Sequence, residues 1–165
     1  MNKILFLTPT LPYPPVSGGV IKSNKVVHFL SEQYELSVAC LLKNEDAQHV
    51  EGFQTTVKLS DFISEASDIP RTAKNLIISN LQGIPLNLYR NQSAAFKQKV
   101  NAVIHQHDVV FCDHYVMFQY IPDDYKGKII LHEHNCEYLI WKRYADIEKS
   151  IPKRLALLNQ AYRIK

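Results

Sequence analysis

The sequence predicts an α/β fold: a Rossmann-like open, mostly parallel sheet with helices on both faces. Three observations carry that expectation. Short, continuously apolar runs alternate with segments of helical period, as βαβ units require. The best-defined runs end in polar or glycine-containing sequence, as strands do where an open sheet binds ligand. No internal repeat or low-complexity tract interrupts the pattern. With 165 residues, 46% hydrophobic and 21% charged, the chain can build a real core, and its composition fits neither a disordered tail nor a membrane bundle.

The elements follow in order. Lys3 to Thr8 is apolar and stops at Pro9, the pattern of a parallel strand buried on both faces. The same proline ends the run short of the about 7 to 15 apolar residues of a signal peptide. Four of the eight prolines lie between Pro9 and Pro15, so Pro9 to Ser17 is an ordered loop leaving the strand's C-terminal end. Ser17 is placed to cap a helix from about Gly18 to Gln33, with Val20, Val26, Val27, Phe29 and Leu30 as its apolar face. Tyr34 to Leu42 reads as a second strand. The middle is expected to hold a short helix within Asn44 to Gly52, a third strand at Thr56 to Leu59, and a helix from Ile69 to Leu81 stopped by Gly83-Ile84-Pro85. Ser93 to His105 is a further helix, leading into a strand over Asp108 to Cys112. After a turn at Pro122 to Gly127, Lys128 to Glu133 is the next strand. Two helical patterns close the chain. Ile140, Tyr144 and Ile147 share one face, and Ile151, Leu155, Leu158 and Tyr162 form a stripe on the other helix, with Pro152 in its first turn. That stripe reaches Lys165 with no stop signal, so a longer protein is expected, with a domain over residues 1–150 and a terminal helix over 151–165 leading onward.

Charge and cysteine content narrow the classes. The net charge of +3 is too small to imply nucleic-acid binding. Lys142 to Lys165, however, holds seven basic and two acidic residues, a segment of +5, which fits either a solvated helix face or contact with anionic lipid or a phosphate-bearing ligand. Cys40, Cys112 and Cys136 are odd in number and include no CxxC, which points to a reducing cytosol.

Three strand ends are expected to converge on one crevice: Pro9 to Gly19, Asp113-His114 and His134-Asn135. Gly18-Gly19 at a helix start permits either anion contact or a plain tight turn; it is neither GxGxxG nor a P-loop. His132, His134 and Cys136 are spaced by two, beside Cys112 and His114, which raises a zinc site. Without CxxC or HExxH, the histidines fit structural hydrogen bonding or ligand contact better, and no metal is expected. Asp113, Glu133 and Glu137 are candidate paired carboxylates, although Glu133 alternates with the histidines and Glu137 suits a helix's first turn. Trp141, with Tyr138 and Tyr144, fits core packing better than a sugar-stacking platform.

Taken together, Lys3-Ile4-Leu5-Phe6-Leu7-Thr8-Pro9, Pro12-Tyr13-Pro14-Pro15, Ser17-Gly18-Gly19, Asp108 to His114, and Glu133-His134-Asn135 with the following Cys136 to Tyr144 resemble the N-terminal domain of family 4 glycosyltransferases. The resemblance is weakest from Asn44 to Gln92. It implies half of a GT-B architecture, the acceptor-side domain of an enzyme that moves a sugar, with retention, from a nucleotide sugar to a glycan or lipid-linked acceptor. It further implies exopolysaccharide or other surface-polysaccharide synthesis, a cytoplasmic location, peripheral contact with the inner face of the membrane, no nucleic acid, and no cofactor or metal beyond the nucleotide-sugar substrate. Ser17, Gly18 and Gly19 would meet the donor phosphate and acceptor. His114 or Asp113 would be the catalytic cleft residue beside the transferring sugar, and Glu133, His134 and Asn135 would lie on the acceptor side. The family's C-terminal domain, with its phosphate-clamping residues, has no counterpart in the sequence, so the isolated chain is expected to be inactive. A nucleotide-sugar epimerase half-domain and a stand-alone α/β ligand-binding or regulatory domain are the alternatives.

Overall fold

In the computed structural model, which describes residues 2–164, the first apolar run forms β1 (Lys3–Thr8) and occupies the middle of the sheet. Five strands lie in the order β3-β2-β1-β4-β5, all parallel: β2 is Glu35–Leu42, β3 Asp61–Ala66, β4 Val109–Asp113 and β5 Lys128–His132. The chain is therefore α/β with an open parallel sheet, as its alternating pattern predicts. A strand flanked by strands and covered on both faces needs apolar residues at successive positions, and Leu5, Phe6 and Leu7 are fully buried.

The crossovers are α1 (Gly18–Gln33) between β1 and β2, a 3-10 turn (Ala47–His49) with α2 (Val50–Thr56) between β2 and β3, and α5 (Ala94–Val103) with a second 3-10 turn (Ile104–Gln106) before β4. Preceding α5 in the chain are α3 (Ala73–Leu81) and α4 (Leu86–Arg90); a 3-10 segment, Tyr115–Tyr120, follows β4; and α6 (Glu137–Ile147) and α7 (Ile151–Ile164) close the chain. No helix among the described residues is long and apolar enough to cross a membrane.

Several boundaries differ from the sequence expectation. The third strand lies at Asp61–Ala66, and Thr56 to Leu59 is instead the end of α2 and its exit. Val57 draws that exit into the core, while Phe62 brings β3 against Phe53 with ring centroids 5.8 Å apart. The helix expected from Ile69 begins only at Ala73, where the Thr72 hydroxyl accepts the Asn75 N–H at 3.2 Å. On α1 the buried residues are Ser23, Asn24, Val27, Leu30 and Ser31, and Phe29 is exposed. Polar side chains can lie on that face because they are bonded: Asn24 Nδ2 donates to the Pro12 carbonyl at 2.9 Å, for example.

The chain divides into two compact units, and not at residue 150. One comprises residues 1–68 and 93–134, with the whole sheet; the other comprises residues 69–92 and 135–165. In the first, Phe6, Val38, Phe53 and Val27 belong to one buried cluster, and Phe6 stacks on Phe111 at 5.3 Å. In the second, Leu86, Trp141 and Ala161 form a small core that ties α7 to α4 and α6, which is why 151–164 does not stand apart. The Leu86 N–H donates to Gln160 Oε1 at 2.5 Å, Asn87 Nδ2 to Glu137 Oε2 at 2.8 Å, and Asn159 Nδ2 to Asn80 Oδ1 at 2.7 Å. Trp141 is buried, with the Arg71 guanidinium 5.0 Å from its ring centre, so it serves as core.

Candidate functional site

The parallel register sets Asp113, the last residue of β4, beside His132, the last of β5. Asp113 is only 2% exposed, and such a buried carboxyl group needs hydrogen-bond donors. It has them on both oxygens. Oδ1 accepts from His132 Nδ1 at 2.7 Å and from His134 Nε2 at 2.9 Å. Oδ2 accepts the Ser23 hydroxyl at 2.5 Å, and Thr8 Oγ1 lies 3.4 Å away while donating to the Thr10 carbonyl at 2.9 Å. Residues from β1, α1, β4, β5 and the turn after β5 thus meet on one carboxylate.

These contacts set the chemistry. Each imidazole turns one N–H toward the carboxylate, Nδ1 on His132 and Nε2 on His134, which fixes the orientation of both rings. Ser23 Oγ is 3.4 Å from His134 Nε2, but that nitrogen already serves Asp113, and the serine proton goes to the shorter bond with the carboxylate. The trio is therefore not arranged as a Ser-His-Asp nucleophile, in which the carboxylate orients the histidine from its far nitrogen. Asp113, His132 and His134 each offer a ligand atom, all within 4.8 Å of one another, a group that could hold a metal ion. A cation would have to displace both imidazole protons from bonds already made.

Gly19 explains its own identity here. A Cβ on it would lie 3.0 Å from His134 Nδ1, so the missing side chain lets the imidazole rest against the first turn of α1. Gly18 has nothing within 4 Å of the equivalent position. Ser17 occupies the N-cap with extended backbone but makes no side-chain cap bond, and the first turn of α1 carries no acidic residue. The helix start keeps its positive end toward open space.

His114 has φ 106° and ψ 139°, backbone that residues with a Cβ rarely adopt. Its N–H donates to the His132 carbonyl at 3.0 Å, and its Nδ1 accepts the Val116 N–H at 3.4 Å. Of the pair left open by the sequence, Asp113 is the hub of the cluster, and His114 turns into the following segment. Glu133 also lies outside it: Oε1 accepts the Tyr115 N–H, and Oε2 is buried without a hydrogen-bond partner among the described residues. Asn135 and Cys136 are exposed and belong to the other unit. Cys112 is buried, its thiol pushed up to about 12 by desolvation and, secondarily, by the charge of Asp113, which leaves it an inert core residue.

Thr8 and Ser23 escape a motif search, and His132 is visible only through its spacing from His134. The signal for Ser23 is its position four residues after Gly19 on the face of α1 that also carries Val27 and Leu30. No protein-family model matches the chain, and no curated protein does. It is similar to two solved structures of the C-terminal domain of PF1911 hydrogenase from Pyrococcus furiosus, each at a TM-score of 0.48. One is 14% identical over 80% of this chain and 92% of that chain, the other 15% identical over 79% and 91%.

Proposed function

We propose that the chain is the acceptor-side domain of a retaining glycosyltransferase that takes a nucleotide sugar as donor and a glycan or lipid-linked acceptor. One observation carries the reading. The glycine pair at the start of α1, the Asp113-His114 end of β4 and His134 after β5 are the segments that resemble family 4 glycosyltransferases, and they come from distant stretches of sequence to one place. Gly19 lies against His134, and His134 is bonded to Asp113. In this reading the free N–H groups of α1 take the donor diphosphate, since a helix start favours an anion. The Asp113 cluster holds His134 in place beside them, and Asp113 acts as a positioning residue. Charge developing on the departing diphosphate needs further cations, supplied by a donor-binding domain, so the chain alone binds donor weakly and does not transfer sugar.

The test is a titration of isotope-labelled chain with UDP-glucose and with GDP-mannose, followed by amide and imidazole resonances. Shifts grouped at Gly18, Gly19 and His134, without sugar release, are expected. Shifts confined to residues elsewhere, or none at all, would overturn the assignment. Sugar transfer by the purified chain would overturn its description as half a site.

A further inference from the structure

Asp113, His132 and His134 meet without any metal-binding motif in the sequence. The two histidines are near neighbours at the end of β5, but the carboxylate joins them from β4, 19 and 21 residues earlier in the chain. Strand register thus does what a local motif does elsewhere. It sets Asp113 Oδ1 2.7 Å from His132 Nδ1 and 2.9 Å from His134 Nε2, with the two rings 4.9 Å apart at 59°. One carboxylate oxygen can accept both N–H groups, and the same convergence is what a cation needs.

Donor chemistry, spacing, outer support and access all suit a metal. Two imidazole nitrogens and one carboxylate oxygen, within 4.8 Å of one another, are a set that borderline divalent metals take, zinc foremost. At zinc bonds of about 2.0–2.1 Å, tetrahedral neighbours sit about 3.3 Å apart. The oxygen therefore withdraws from each nitrogen by about half an ångström, and the nitrogens close toward the same spacing. Oδ2, the oxygen that would stay off the ion, accepts the Ser23 hydroxyl at 2.5 Å and has Thr8 Oγ1 at 3.4 Å, so groups outside the trio orient the carboxylate. The side chains of His132 and His134 are 26% and 14% exposed, against 2% for Asp113, which leaves an entry path and room for water on the histidine side.

We propose that Asp113 Oδ1, His132 Nδ1 and His134 Nε2 bind one zinc ion, with water as the fourth ligand. Each proton now aimed at the carboxylate passes to the other nitrogen of its ring or to solvent, and the buried carboxylate exchanges two N–H donors for a cation. The ion ties the turn after β5 to the end of β4. It owes nothing to the glycosyl-transfer reading, since neither sugar donor nor acceptor takes part.

The experiment is calorimetric titration of the tag-free, chelator-treated chain with zinc chloride, with imidazole resonances followed on labelled chain. One ion per chain is expected, with the His132 and His134 resonances moving together. His132→Gln and His134→Gln should each weaken binding by about a hundredfold or more, and Ser23→Ala by about tenfold. His105→Gln, at an exposed histidine outside the cluster, should leave it unchanged. The resonances of the parent chain report the ligands directly, so the result stands where a variant fails to fold. Neither heat nor shifts at about 0.1 mM zinc, binding that both glutamine variants leave intact, or shifts confined to the other five histidines would overturn the proposal. A chain that takes zinc but ignores UDP-glucose keeps this site and loses the glycosyltransferase reading, and the reverse result does the reverse.

Discussion

The two units of this chain bury themselves by different means. The sheet-bearing unit is organised around fully enclosed strands: Leu5, Phe6 and Leu7 on β1, Val38 to Leu41 on β2, and Val110 and Cys112 on β4. Cys40, Cys112, Tyr120 and Tyr125, whose ionisation is pushed above its ordinary value mainly by burial, lie in it. The helical unit has a small core around Leu86, Trp141 and Ala161 and joins its helices through amide side chains of Asn80, Asn87, Asn159 and Gln160. The contrast teaches where each half's sequence is constrained. In the first, volume decides what most core positions can hold, and the one buried carboxylate described above, Asp113, is held by hydrogen bonds. In the second, hydrogen bonding and surface charge decide it.

The largest effect that can break this contrast is cavity formation. Phe6→Ala should cost about 3–5 kcal/mol in urea denaturation, as deletion of a buried aromatic ring does, whereas Leu155→Ala should stay within about 0.5 kcal/mol. Equal costs would mean that the α7 stripe is covered.

The next effect is alkaline sensitivity. The Cys112 thiol is raised to about 12 and the Tyr120 hydroxyl to about 12, both mainly by burial, and Cys40 is raised further still. In the unfolded chain these groups release their protons at their ordinary values, so above roughly pH 9 the unfolded state holds fewer protons and stability falls. Each group contributes a slope of up to about 1.4 kcal/mol per pH unit until its folded value is reached. The urea midpoint should therefore drop between pH 8 and pH 10.5, and drop less in Cys112→Val. A flat profile would show that the thiol is not desolvated.

The smallest effect separates adjacent glycines. Gly18→Ala adds a methyl group in open space and should stabilise α1 by about 0.5–1 kcal/mol. Gly19→Ala has the same helical advantage but sets its Cβ 3.0 Å from His134 Nδ1, so the gain should vanish and the imidazole resonances of His134 should move. Identical responses would mean that His134 does not rest on the helix.

How legible this was depended on which forces spoke locally. β1, α1 and β4 could be read to within a residue or so, because strands buried on both faces leave unbroken apolar runs and a helix start after four prolines is hard to miss. β3 was misplaced because an edge strand reading Asp-Phe-Ile-Ser-Glu-Ala carries little apolar signal, while Val57 before it is drawn into the core from a helix exit. α4 was missed: five residues after Pro85 give no period to read. At the site, Gly19, Asp113 and His134 were visible as punctuation at strand and helix ends. Ser23 and Thr8 were not, since what makes them part of the cluster is a carboxylate that arrives 90 and 105 residues later.

The same separation gives the fold a clock. β1 is the innermost strand, yet one of its two neighbours, β4, pairs with it from Ile4 to Val109. At synthesis rates of roughly 5–20 residues per second, about 5–20 s pass between the emergence of these partners from the ribosome. During that interval β1, apolar from Ile4 to Leu7, has β2 on one side and an open backbone edge on the other. Such an edge is what chaperones shield and neighbouring nascent chains seize, so yield in the cell should depend on the pace of translation between Leu42 and Asp108 more than on any single contact in the finished sheet.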